Sequence, residues 1–376
     1  MSKKSSARFR FTGAAVLLAA LVFLLPAVKS GDSRLYMLAV LVPCVILLGG
    51  TVFARMFSLD RMLVSLSLWL CASGIAALAV SDPEAALAQA FRVGAGAAAL
   101  LAGGILIRSL SPSWLTSGCA AFLGLLLLGG KLLAPSFSLP LNEAALALVL
   151  IAFVALLTRQ GPLSALAAGL AALALLLVQG DGGSALIFGL TLLLLLFAAD
   201  GRPVVVLPAL AAVLLLFILF FPQGPSAAFS AQPSGLDALV SAGAVGAEEL
   251  PAAIAALDPL PLFTRQAGHY GLLFSGLTAM LYLPFCLRGA AVAGVARTRF
   301  HAVLAMGVTL LIGLRALTGL LAAFGFLSMA GAELPFLTAS LPDLCARLFL
   351  TGLLCGISGR CDADLAEDAH LAMLAK

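Results

Sequence analysis

The chain has 376 residues, 62% of them hydrophobic and only 10% charged, with a formal net charge of +4. Soluble domains carry about 25% charged residues, so this surface has lipid to face, and a soluble domain with its own aqueous surface is excluded. The 23 Phe against 2 Trp and 3 Tyr add apolar bulk rather than polar handles.

Four basic residues, Lys3, Lys4, Arg8 and Arg10, precede the first apolar run. This resembles the start of a signal peptide. No small-residue cleavage site follows, however, and a second apolar run begins at once, so the first helix is expected to be retained with its N-terminus in the cytoplasm. Spans of the required length, about 20 apolar residues, are expected near 12–28, 35–54, 62–80, 90–107, 116–130, 141–157, 163–178, 184–199, 204–221, 271–287, 301–326 and 344–358. Unbroken Leu/Ala runs without alternation exclude a β-barrel. The fold expected is an all-α polytopic membrane protein of 10 to 12 helices, forming a single membrane domain over 1–376.

Threaded in this way, 14 of the 21 basic residues fall on the inner side and six on the outer, with Arg315 inside a span. That asymmetry is the positive-inside pattern; it requires an even number of spans and places both termini in the cytoplasm. The only long connection, 222–270, then lies outside. It is rich in Pro, Gly, Ser and Ala, and its charges are Asp237, Glu248, Glu249, Asp258 and Arg265. A connection of that length is usually functional or disordered, and a functional loop is the reading taken. The tail 361–376 reads as a short cytoplasmic amphipathic segment.

Several polar residues occupy costly places. Gln179-Gly180-Asp181-Gly182-Gly183-Ser184 interrupts two apolar runs; it reads equally as a tight hairpin with Asp181 capping the next helix and as a polar break lining a cavity. Arg315 lies mid-span, where a charge costs roughly 2.5–3.5 kcal/mol on insertion scales. It must face the interior and find an acidic or carbonyl partner, and both structural pairing and substrate-anion binding remain open. Glu143 opens its span as a favourable charge at a helix N-terminus, or, near Lys131, lines an outer cavity. Asp343 and Arg347 stand four apart, the spacing of a helical ion pair. The seven cysteines form no C-x-x-C pair and the three histidines no ligand pattern, so the cysteines read as small buried hydrophobes.

Three blocks resemble the FtsW/RodA/SpoVE (SEDS) family of peptidoglycan polymerases. Phe137-Ser138-Leu139-Pro140-Leu141-Asn142-Glu143 is similar to its Phe-Ser-Leu-Gln-Pro-Ser-Glu entry into a span, and Gln179 to Leu186 is similar to its Gln-Pro-Asp-Leu-Gly-Thr-Ala-Leu turn. Gly307 to Leu317 is similar to its Gly-Ile-Thr-Leu-Leu-Ile-Gly-Leu-Gln-Ala-Leu helix, followed by Leu334-Pro335-Phe336 where the family has Leu-Pro-Phe. The blocks keep the family's order over about 131–360, while 1–130 diverges and holds five spans where the family has three.

The resemblance implies a SEDS-like bundle that joins lipid II units into glycan strands at the outer face of the bacterial plasma membrane, releasing undecaprenyl pyrophosphate, in division, elongation or sporulation. The implied partners are membrane lipids, the lipid-linked substrate and a class B penicillin-binding protein (the transpeptidase), with no nucleic acid. A divalent cation is compatible with this chemistry, although no ligand motif is present. Asp258 is the nearest match to the family's catalytic Asp, with Glu248 and Glu249 as fallbacks; Glu143, Lys131, Asp181, Arg265 and Arg315 would surround the substrate. Departures are evident: Leu146 replaces a Lys, Lys131-Leu132 an Arg-Trp, Thr338 to Pro342 a Ser-Tyr-Gly-Gly-Ser run, and Arg315 a Gln. They motivate a second reading, a catalytically degenerate relative that scaffolds or handles lipid-linked precursor. A small-molecule transporter is a third, though no internal repeat supports it.

Overall fold

A computed structural model describes residues 3–110, 113–133, 141–220, 240, 243–244, 246, 261–324 and 333–374. The described residues are helical, and their helices are α1 (Lys3–Ser30), α2 (Ser33–Met56), α3 (Arg61–Ala79), α4 (Pro83–Leu106), α5 (Trp114–Leu133), α6 (Asn142–Arg159), α7 (Pro162–Val178), α8 (Gly182–Asp200), α9 (Pro203–Phe220), α10 (Leu262–Met280), α11 (Tyr282–Val295), α12 (Arg299–Ala323) and α13 (Leu341–Leu374). Among the described residues ten stretches are long and apolar enough to cross a membrane, the segment Leu262–Val295 counting once, and two shorter apolar helices, Trp114–Gly130 and Pro162–Val178, accompany them. These twelve are the twelve expected.

Aspartate and glycine punctuate the spans. Asp32, Asp60, Asp82 and Asp181 each accept backbone N–H bonds at a helix start, satisfying donors that have no partner within the helix. Gly201 closes α8 in the left-handed conformation, φ 63°, which a side chain would disfavour. Pro83 sits in the first turn of α4, where its missing N–H costs nothing, so this helix starts seven residues before the expected 90. The last helix runs unbroken from Leu341 to Leu374; the expected separate tail is its continuation.

Buried apolar side chains from α1 to α13 form one continuous core. Helix α3 is buried on every face from Leu63 to Ala79, as is most of α6 from Ala145 to Leu157. Helix α9 is the opposite case: Ala209 is its one buried residue among those described, as befits a helix facing lipid. Helices α4 and α13 approach each other backbone to backbone. A Cβ on Gly352 would stand 2.0 Å from the Leu100 carbonyl oxygen, one on Gly103 2.3 Å from that of Phe349, and one on Gly356 2.7 Å from that of Gly104. Small residues let backbones touch, which is how helices pack in lipid, where no hydrophobic effect drives them together.

Contacts between loops sort into two ends. At one end Arg34 pairs with Glu84 at 3.2 Å, the Asn142 amide donates to Asp181 at 3.4 Å and Arg347 reaches Glu143 at 3.8 Å. At the other, Arg108 donates to the Phe57 carbonyl and Arg288 pairs with Asp60. Each contact joins residues that the alternating threading puts on the same side.

The Asp60 end carries a buried knot. Asp60 caps α3 through the amides of Met62 and Leu63, accepts from Arg288 Nε at 2.8 Å and from the Ser358 hydroxyl at 2.8 Å, and so ties α3, α11 and α13 together. Burial opposes its charge, but the Arg288 guanidinium and these hydrogen bonds hold the carboxyl below the usual carboxylate value. The stabilisation is therefore complete above about pH 4, where an unfolded aspartate is ionised, and is lost as pH falls toward the folded value. Asp60→Asn is expected to cost about 3 kcal/mol at neutral pH, since it leaves Arg288 without its counter-ion. Thermal midpoints in detergent between pH 7 and pH 3 check this: the gap between the two proteins should close on acidification, and a gap independent of pH would show that the charge is not the source.

The helix before the tenth span turns back on itself. Gly271, at φ 79° and ψ 173°, breaks α10 in a region open to glycine alone. Gln266 Nε2 donates to Thr278 Oγ1 at 2.8 Å. Twelve residues of straight helix would separate them by about 18 Å, so Leu262–Tyr270 folds against the following turns. The amides of Leu272 and Leu273, freed by the break, donate to the carbonyls of Gly243 and Ala244 in the long connection. The expected span start, 271, is this break; the short helix before it was expected as loop.

Candidate functional site

The polar site is built at the Glu143 end. Asn142 and Glu143 open α6, Asp181 caps α8, Arg315 projects from α12, and Arg347 from α13, one turn beyond Asp343. Arg315 Nη2 forms an ion pair with Glu143 Oε1, and Arg347 Nη2 lies 3.8 Å from the same oxygen. The side chains are 11% (Glu143), 6% (Arg315) and 6% (Arg347) exposed, so this is a desolvated cluster and not a surface bridge.

The surroundings extend it. Arg315 Nη2 also donates to Ser184 Oγ at 3.4 Å, and the Ser184 amide donates to Asp181 Oδ1 at 3.0 Å. Asp181 Oδ2 accepts from Asn142, which joins the starts of α6 and α8. Arg347 Nη1 donates to the Leu334 carbonyl at 3.3 Å. The segment 333–340 is itself pinned: Gln89 Nε2 donates to the Thr338 carbonyl at 2.7 Å, Arg92 to that of Ala339 at 3.1 Å, and the Tyr282 hydroxyl to that of Pro335. Phe336 in this segment is fully buried and has φ 70°, a conformation a bulky residue adopts only where its surroundings enforce it.

Three of the expected site residues are thus brought together: Glu143, Asp181 and Arg315. Arg315 has the acidic partner its mid-span position demanded, and Asp181 is the helix cap that one of its two readings required. Arg265 is placed elsewhere, on the folded-back helix before Gly271, with Nη1 3.4 Å from Ser81 Oγ. Asp258, Glu248 and Glu249 lie outside the described residues, as does the side chain of Lys131. Arg347 has more partners than its spacing from Asp343 suggests. It bonds to Glu143 and Leu334 across the bundle, with Asp343 acting on it through charge. Gln89 and Tyr282 carry no sequence signal beyond being polar in apolar runs, and Asn142 only its place in the block from Phe137 to Glu143.

With this geometry in hand, the architecture can be set beside known ones. Two crystal structures of the rod shape determining protein RodA of Thermus thermophilus, one of them a point mutant, superpose with a TM-score of 0.58 at 20% sequence identity, covering 80% of this chain and 96% to 97% of theirs. This is the RodA fold. A chain from a study of how a peptidoglycan synthase complex coordinates polymerization and crosslinking matches similarly, with a TM-score of 0.57, 22% identity and coverage of 80% and 97%. No protein-family model matches the sequence, and no curated protein matches it either. The likeness to RodA therefore lives in the arrangement of helices, while most side chains have been exchanged. Nearly the whole of RodA is represented, and about a fifth of this chain is additional to it.

Proposed function

We propose that this chain is a divergent SEDS protein that polymerises glycan from a disaccharide carried on a polyprenyl diphosphate, at the outer leaflet of the bacterial plasma membrane. The observation that carries the reading is the RodA fold along almost the whole of RodA's length. Two further features support it. The desolvated Glu143, Arg315 and Arg347 group, with the half-buried Asp181 beside it, lies at the end of the bundle from which the long connection after α9 departs. The other end carries the basic loops, including Arg55, Arg61, Arg108, Arg202 and Arg299, so the positive-inside rule puts the Glu143 end outside. In this reading Asp258 takes the proton of the attacking hydroxyl, and the arginines offset charge on the departing diphosphate. The partner is a class B penicillin-binding protein.

The test is to incubate the purified protein with lipid II, with and without such a transpeptidase, and to resolve products by size. Polymer formed by the natural chain and lost in Asp258→Ala is the expected result; no polymer under either condition refutes the reading. A scaffold without catalysis is the second reading, favoured by Leu146 and Arg315 standing where the family has Lys and Gln. Full complementation of a deletion strain by Asp258→Ala would select it.

A further inference from the structure

Helices α7, α8 and α9 meet around a groove of about 260 Å³, and every residue that lines it is Leu, Gly or Val. Gly169, Leu173, Gly189 and Leu192 form its buried floor, and the half-buried Leu166 and Val213 stand at its rim. Helices α7 and α9 both start at the end opposite Glu143. At 1.5 Å of rise per residue, Leu166 lies about 6 Å and Val213 about 15 Å from those starts. Half of a hydrocarbon core is also about 15 Å, so the groove runs down the half of the bilayer next to the basic loops. An apolar groove at that depth holds no water, and what the bilayer supplies there is a hydrocarbon chain. Helix α9 has room for one, since Ala209 is its one buried residue among those described.

Charge gathers where these helices end. Arg202, in the turn between α8 and α9, is 77% exposed and 3.9 Å from Asp200. Arg299, exposed at the start of α12, donates to the Ala199 carbonyl at 3.2 Å. Both guanidiniums therefore stand at the last turn of α8. Asp200 is the one carboxylate among the described residues of the turns 159–162, 199–203 and 296–299, against Arg159, Arg202, Arg297 and Arg299. The positive-inside rule explains arginines on a cytoplasmic face. It does not explain an apolar groove between the helices that they terminate. We infer that the two together are a site for an anionic phospholipid of the cytoplasmic leaflet. One acyl chain lies in the groove between α7, α8 and α9, and the phosphate lies at Arg202 and Arg299. The lipid supplies the negative charge that this end lacks, and its chain braces α9 against α7 and α8. The site is at the opposite end of the bundle from Glu143 and does not depend on the function proposed above.

Native mass spectrometry of the full chain tests this, with the protein released from micelles that contain equal amounts of phosphatidylglycerol and phosphatidylcholine bearing the same chains. The natural chain should retain phosphatidylglycerol roughly tenfold more often than phosphatidylcholine. Arg202→Gln/Arg299→Gln should bring the two lipids close to parity. Arg55→Gln, which removes an exposed arginine from α2, a helix that does not line the groove, should keep the preference. Gly189→Leu should lose the retained lipid of either kind. A Cβ there stands 3.1 Å from Leu173 Cδ1 and 3.4 Å from Val213 Cγ1, so the new side chain meets the tips of two lining residues and fills the space. Val213→Phe fills the groove from its rim and preserves the test if Gly189→Leu does not fold. Equal retention of the two lipids by the natural chain overturns the inference. So does a preference that Arg55→Gln abolishes as fully as the double variant, since the charge of the whole face would then be its source. A preference untouched by both groove variants overturns it too, because the arginines would then hold an anion, such as an acidic protein segment, without the groove.

Discussion

Gly352→Val is expected to separate α4 from α13 and to lower stability by about 3 kcal/mol or more, the upper range for overpacking. The reason is local and rigid. The added Cβ would lie 2.0 Å from the Leu100 carbonyl oxygen and 2.8 Å from the carbonyl carbon, and backbone atoms inside a helix cannot step aside as a side-chain tip can. The whole helix must move, and with it the contacts at Gly103 and Gly356 on either side. Gly94→Ala is the control, because a Cβ there meets nothing within 4 Å, and alanine is the better helix former. Thermal unfolding in detergent should show a large loss for the first substitution and none for the second. Equal behaviour of the two would mean that the seam does not hold the bundle together.

The second large effect is expected at Glu143. Removing one partner of a buried ion pair typically costs 3–5 kcal/mol, and Glu143→Gln leaves Arg315 and Arg347 with only Asp181 and Asp343 as counter-charge, so a loss of about 3 kcal/mol is expected. Arg315→Gln should cost less, because Arg347 remains 3.8 Å from the carboxylate and takes over as its counter-ion. The double variant Glu143→Gln/Arg315→Gln should then be more stable than Glu143→Gln alone, with a coupling energy of about 2 kcal/mol. Unfolding midpoints of the four proteins in one detergent measure this cycle. Simple additivity would show that the three charges do not act as a unit.

Much of the bundle was legible because membrane spans obey one-dimensional rules. Length, hydropathy and loop charge are local properties, and they bounded the chain to ten to twelve alternating spans. Arg315 was legible as a buried charge in need of a partner, but the partner could not be named, because α6 and α12 meet only in the folded bundle. Arg347 shows the same limit in reverse. Its four-residue spacing from Asp343 is a valid local signal and the two interact, but a further carboxylate partner, Glu143, stands on another helix. The helix Leu262–Tyr270 escaped notice because Thr264, Arg265, Gln266 and His269 make it polar, and no hydropathy rule marks a helix that is buried against α3 rather than spanning. The family blocks were readable as order and spacing, whereas the likeness to RodA rests on helix packing at 20% identity.

The glycine seam bears on how the chain is made. Its two halves, around Gly103 and Gly352, are separated by about 250 residues of sequence. At synthesis rates of roughly 5–20 residues per second, α4 waits on the order of 12–50 s in the membrane before its partner is translated. Throughout that interval a glycine-lined helix face stands open to lipid and to other inserting helices. The seam is therefore closed only once α13 is in place, and a chain cut short before α13 would leave the glycine face of α4 uncovered.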